Sequence, residues 1–162
     1  MTKPWLPLEP DPLTTGPALT RFAVEAAERE LGVMLPAAYV RTLEHCNGGF
    51  VIRGVFRTAF PTSWAEDHFE VTSVLGIGGV FGIDSTSDTS SKYLIAEWEY
   101  PEIGIVIAHT PSGGHDTVML DYREAAPGQP CVVYVDEDRV PRKIAESFDE
   151  FAAGLTDALR AE

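Results

Sequence analysis

Four ionisable residues crowd one short stretch: His109, His115, Asp116 and Asp121, gathered about Pro111-Ser112-Gly113-Gly114. Across a two-residue hairpin loop His109 would face Asp116, giving an ion pair or half of a metal site. A metal centre needs at least three convergent ligands, and neither CxxC nor HExxH spacing occurs, so the pattern reads as turn chemistry with solvated polar groups. Nucleophilic catalysis fares no better. No GxSxG elbow surrounds a serine, and Ser112 suits the hairpin instead. Cys46 falls at the end of an expected helix, where the dipole raises a thiol's pKa. The pairs Gly48-Gly49, Gly78-Gly79 and Gly113-Gly114 follow or join elements and give neither GxGxxG nor GxxxxGK[ST], so they read as turns. Nothing pairs a desolvated carboxylic acid with an ionised one. No catalytic residue, metal or cofactor is expected.

A second set of residues suits binding. Trp64 sits beside Glu66 and Asp67, and Trp98 lies between Glu97 and Glu99. Tyr100, Tyr122 and Tyr134 are near Glu102, Asp121 and Asp136. Aromatic anchors ringed by acids suit a protein-binding face for a basic partner. The alternative places Trp98 and Tyr134 in the core with their acidic neighbours pointing outward. The candidate partner-binding residues are Trp64, Glu66, Asp67, Glu97, Trp98, Glu99, Tyr100, Glu102 and Asp116.

These residues need elements to position them. Ile103–Ala108, Thr117–Tyr122 and Cys131–Val135 are apolar runs rich in β-branched residues. Pro111-Ser112-Gly113-Gly114 joins the first two, and a loop with Pro127, Gly128 and Pro130 joins the last two. That predicts a three-stranded antiparallel meander, enough to organise a domain. Residues 1–17 form a Pro-rich arm, with Trp5, Leu6 and Leu8 placed to lie across the surface of a single domain spanning 18–162. Leu19, Phe22, Ala23, Ala26, Ala27 and Leu31 define the apolar face of a first helix, stopped by Gly32. Pro36 opens a second, with Tyr39, Val40, Leu43 and Cys46 on one face and Asn47-Gly48-Gly49 at its end. Phe50–Ile52 reads as a short strand, Val55 to Phe60 as a loop or another short strand, and Phe69–Ile77 as one alternating strand. Asp84–Ser91 is either an exposed loop or the capped start of a short helix from Ser90 to Tyr100. After Pro141, the spacing of Ile144, Phe148, Phe151, Leu155 and Leu159 predicts a closing amphipathic helix.

A chain of 162 residues with 44% apolar content suits one globular domain. No run approaches the roughly 18 apolar residues that crossing a bilayer requires. Pro4, Pro7, Pro10 and Pro12 break the N-terminal stretch, which is no secretory signal. Cys46 and Cys131 read as free thiols in a reducing compartment, so a cytoplasmic location is expected. Residues 1–60 carry six acids and six bases, whereas 61–162 carry nineteen acids against six bases. The whole net charge of −13 therefore lies in the second part. Such a field repels nucleic acid and anionic membrane and steers a basic partner inward, although it also serves solubility. A monomer or weak dimer is expected.

Leu35-Pro36-Ala37-Ala38-Tyr39, then Leu43 and Asn47-Gly48-Gly49, resemble the LPxxY…L…NGG signature of the SUKH superfamily, the Smi/Knr-type domains. Gly82-Ile83-Asp84-Ser85, Ile105-Val106-Ile107-Ala108, and Gly113-Gly114 with Val118-Met119-Leu120-Asp121-Tyr122 follow in the family's order. So do Val133-Tyr134-Val135-Asp136 and Ile144-Ala145-Glu146-Ser147-Phe148-Asp149-Glu150-Phe151. The likeness spans Leu19 to Leu159. It implies an α+β domain with two N-terminal helices and one C-terminal helix around a mixed or mainly antiparallel sheet, here of about five to six strands, and no catalytic residues. It also implies a protein partner. Bacterial members are typically immunity proteins that occlude a cognate toxin, often a nuclease with a basic cleft. Other members are regulators or scaffolds.

Overall fold

The computed structural model describes residues 6–157. In chain order the elements are β1 (Leu8–Glu9), α1 (Arg21–Leu31), α2 (Ala37–His45), β2 (Gly49–Val51), β3 (Val55–Arg57), β4 (His68–Glu70) and β5 (Ser73–Val74). Then come α3 (Ser91–Trp98), β6 (Gly104–His109), β7 (Thr117–Ala126), β8 (Gln129–Val135), β9 (Pro141–Ala145), α4 (Phe148–Gly154) and β10 (Leu155–Thr156). The expected meander is β6-β7-β8, with Val118 opposite Tyr134 and Ile105 opposite Leu120. It forms the middle of an antiparallel sheet ordered β1-β2-β5-β6-β7-β8-β9, and a smaller sheet is ordered β10-β3-β4. The α+β class holds. The sheet is larger than the five to six strands expected, and four helices flank it among the described residues.

Three differences have identifiable causes. Phe69–Ile77 is two strands, because the chain changes sheets at Val71-Thr72. The Val71 N–H donates to Gly54 O on the small-sheet side, and the Thr72 N–H to His109 O of the large sheet. The stretch after Pro141 is a strand first. Lys143 and Arg142 pair with Val133 and Tyr134, so Ile144 belongs to β9 and the helix begins only after Ser147. Leu155 pairs with Phe56 in the small sheet, and Leu159 lies outside the described residues. The face of α1 is also rotated from expectation. Ala27 is buried with Ala23, Val24 and Leu31 partly covered, whereas Ala26 is exposed and Phe22 is 82% exposed. This helix rests on a small-residue seat, with Ala23 against Gly78.

Leu6 is buried in the core and its N–H donates to the Thr42 hydroxyl, so this part of the arm is packed in. Trp5 lies outside the described residues. The core joins both sheets to α4 through rings: Tyr134 stacks on Phe69 at 4.1 Å, and Phe56 lies 5.5 Å from both Phe69 and Phe151. Rings of this size bury the most apolar area per residue, which is why they fill the seam between the layers. Behind them Asn47, 3% exposed, donates to Pro17 O and Ile77 O and accepts from the Ile77 N–H. The Asn-Gly-Gly turn is thereby fastened to Pro17 and to Ile77, in the loop that follows β5.

Candidate functional site

Turns between strands collect at the ends of a sheet, and at one end four connections meet. They are the β6–β7 turn (110–116), the end of α3 (98–100), the β8–β9 turn (136–140) and the loop around Ser63. Asp116 is their centre. It is 1% exposed, and its carboxylate accepts from Ser112 Oγ at 2.6 Å and Trp64 Nε1 at 2.6 Å. The Thr110 hydroxyl and the Tyr134 phenol donate to it as well. All four donors are neutral side chains, so hydrogen bonds satisfy this buried carboxyl group, and among the described residues no Lys, Arg or His pairs with it. Burial first, and then the hydrogen bond to Asp116, pushes the Tyr134 phenol well up, which keeps it a donor.

Arg139 ties the other connections together. Its Nε donates to Trp98 O at 2.9 Å, and its Nη1 to His115 O at 2.7 Å and Asp136 O at 3.0 Å. Its guanidinium also lies 4.9 Å from the centre of the Tyr100 ring. Ser63 binds Asp136 through its N–H at 2.8 Å and its hydroxyl at 2.7 Å, which brings the Trp64 loop in. The Tyr100 hydroxyl donates to Gly114 O at 2.5 Å, and burial pushes its pKa up to about 12. Gly114 is required here: its φ is 123°, and a Cβ would lie 2.2 Å from the Trp98 ring. Glu99 (φ 57°) and Arg139 (φ 61°) are the non-glycine residues with positive φ among those described, and both belong to this corner. A left-handed conformation in residues with a Cβ costs energy that surrounding contacts must offset, and such residues cluster at functional sites.

The expected residues separate into two tiers. Asp116 and Tyr100 are buried beneath the corner. Trp64 is 39% exposed, and Trp98 is half-buried with its ring 5.7 Å from that of His115. Glu97 and Glu99 are exposed beside Trp98, and Glu102 is exposed nearby. Glu66 and Asp67 are exposed on the Trp64 loop, where Asp67 bonds Arg57 at 3.1 Å and His68 at 2.9 Å. The His68 bond is the main reason its carboxyl is held below the usual range.

The suggested grouping of His109, His115, Asp116 and Asp121 does not form. The loop is seven residues long, so Thr110 and not His109 reaches Asp116. His109 lies opposite Ser73, where burial lowers its pKa. His115 approaches Glu137 at 3.7 Å, and Asp121 holds Arg123 at 2.7 Å. Among the described residues no group of three or more His, Cys, Asp or Glu could hold a metal ion, and no helix is long and apolar enough to cross a membrane. Burial raises the pKa of Cys46 and Cys131, which favours the thiol over the reactive thiolate. Sequence reasoning passed over Arg139, Ser63, Thr110 and Glu137. Arg139 stands in a charged turn that resembles any solvated one, and its clasp is visible only once the chain is folded.

This arrangement offers a rigid platform of aromatic rings with carboxylates at its rim. Among curated proteins the chain finds no match. The sequence profile of the SMI1 / KNR4 family (SUKH-1) matches residues 19–154, which include every one of these corner residues, and the chain belongs to that family.

Proposed function

We propose that this domain is a non-enzymatic protein-binding module that captures a basic partner on the corner built around Asp116. The form we favour is an immunity protein that occludes a cognate toxin domain, such as a nuclease with a cationic cleft. The observation that carries this reading is the fixed presentation of Trp64 and Trp98. The Trp64 indole is hydrogen-bonded to a buried carboxylate, and the Trp98 indole packs against Gly114 while its main-chain carbonyl accepts from Arg139. Rings ordered before binding lose little freedom on association, which is what an interface anchor needs. The surrounding acids, Glu97, Glu99, Asp136 and Glu137, would draw in a basic surface and speed encounter.

The test is association with the protein encoded by the neighbouring gene, measured by surface-immobilised kinetics at low and high salt. The expected result is inhibition of that protein's activity, with an association rate that falls as salt screens the acids and a dissociation rate that changes little. No capture, or an association rate indifferent to salt, refutes the reading. Capture without inhibition favours a regulatory or scaffold domain of the same family.

A further inference from the structure

Beside the corner, and sharing Glu99 and Tyr100 with it, lies a groove of about 900 Å³. It exists because β5 stops short. In the large sheet β5 pairs with β6 only at Ala108 and His109, so the first half of β6 has no strand on that side. The helix α3 stands there instead, and the Ser91 hydroxyl accepts the Val106 N–H at 2.9 Å. A helix cannot approach a strand edge as closely as another strand does, and a trough remains. Ile95 and Ile103 line it together with Leu31 and Val33 from the end of α1.

The charges around this apolar floor are not balanced. Lys92 is taken up by Glu30 at 3.1 Å, and Arg123 by Asp121 at 2.7 Å. Glu99 and Glu102 also line the groove, both are exposed, and neither has an ion pair among the described residues. Glu99 is in addition the left-handed residue that follows Trp98, so the groove and the corner are continuous. An occupant must therefore present an apolar side chain and positive charge together.

We propose that this groove seats an aliphatic side chain from a lysine- or arginine-flanked segment of the partner, with Glu99 and Glu102 binding the flanking cations. This rests on the partner-binding reading of the corner and extends it to a second, adjoining contact. The acids make the groove selective, because a neutral apolar segment leaves them unpaired and an acidic one is repelled.

The test titrates the full isotope-labelled chain with an amidated heptapeptide bearing one leucine between lysines, followed by amide shifts. The expected result is shifts at Ile95, Ile103 and Gly104, with at least fivefold weaker binding when alanine replaces the leucine or glutamates replace the lysines. Ala96→Phe, an exposed helical position lining the groove, should weaken binding at least tenfold. Glu99→Gln with Glu102→Gln should do the same without adding bulk. No shift in the groove, shifts confined to Trp64 and Trp98, equal binding of the glutamate peptide, or groove shifts that follow protein concentration without peptide would each overturn the proposal. Partner capture separates the two readings. Capture undiminished by Ala96→Phe removes the groove and leaves the corner. No capture by the unaltered chain, with the peptide still shifting the groove, removes the corner reading alone.

Discussion

Asn47 and Asp116 both lie beneath the surface and both fasten loops together, yet they do so with opposite chemistry. Asn47 is neutral and bonds backbone: two carbonyls accept from its amide and one N–H donates to it. Asp116 is an acid that accepts from four side chains, one of them a partly exposed indole. A backbone-bonded amide fixes the path of the chain whatever side chains surround it. A carboxylate bonded to side chains fixes how those side chains are presented. The first arrangement serves the fold, and the second serves the surface above it at the cost of keeping an acid out of water.

Exchanging the two chemistries tests that contrast. The largest effect is expected from Asn47→Asp, which sets a carboxylate against two carbonyls that lose their donor. Stability should fall by about 4 kcal/mol in chemical denaturation at neutral pH, since each buried unsatisfied group costs ~1–3 kcal/mol. The protein that remains folded should hold its partner with unchanged affinity. Asp116→Asn keeps the shape but offers one acceptor oxygen to four donors. It should cost about 2 kcal/mol and also weaken partner binding roughly tenfold, because Trp64 is no longer held. Equal stability losses with no change in affinity for either variant would break the contrast. Trp64→Phe keeps an aromatic ring but removes the N–H together with part of the indole's apolar surface, and because the site is partly exposed a stability loss of about 1 kcal/mol is expected.

The smallest effect concerns pH and belongs to the Asn47 side, where His109 and Gly76 line a small cavity of about 130 Å³. Burial holds His109 below its ordinary pKa of 6.5, so the unfolded chain takes up a proton at higher pH than the folded one. The associated stability is present above the ordinary value and is lost as pH falls below it. Denaturation midpoints measured from neutral to mildly acid pH should decline less for His109→Gln than for the unaltered chain. Identical slopes would show that His109 is not responsible.

Much of the architecture could be read from residue order because local signals agree with tertiary ones. The three β-branched runs between Pro and Gly breakers are strands, and the second helix stops at His45, with Cys46 as its extended cap and the positive φ of the following turn falling on Gly48 and not on Asn47. The closing segment misled because a spacing of three and four fits Ile144, Phe148 and Phe151 equally well once Ile144 sits on a strand. The better signal was Ser147-Phe148-Asp149-Glu150, a helix-start pattern: the Ser147 hydroxyl accepts from the Glu150 N–H, and the Glu150 carboxylate accepts from the Glu146 N–H. At the corner, aromatic residues flanked by acids pointed to Trp64 and Trp98. Their support was hidden, since Ser63 meets Asp136 across 73 positions and Arg139 meets Trp98 across 41.

The outermost strands of the large sheet carry one more consequence. At one margin β1 is two residues long, and at the other β9 opens with Pro141, which has no N–H to offer, and exposes Lys143. Short, charged or proline-bearing margins discourage strands of neighbouring molecules from adding on. Crowded copies of this chain are thereby kept from polymerising edge to edge, and truncating the segment that supplies Leu8 and Glu9 should raise light scattering on storage by baring Gly49–Val51.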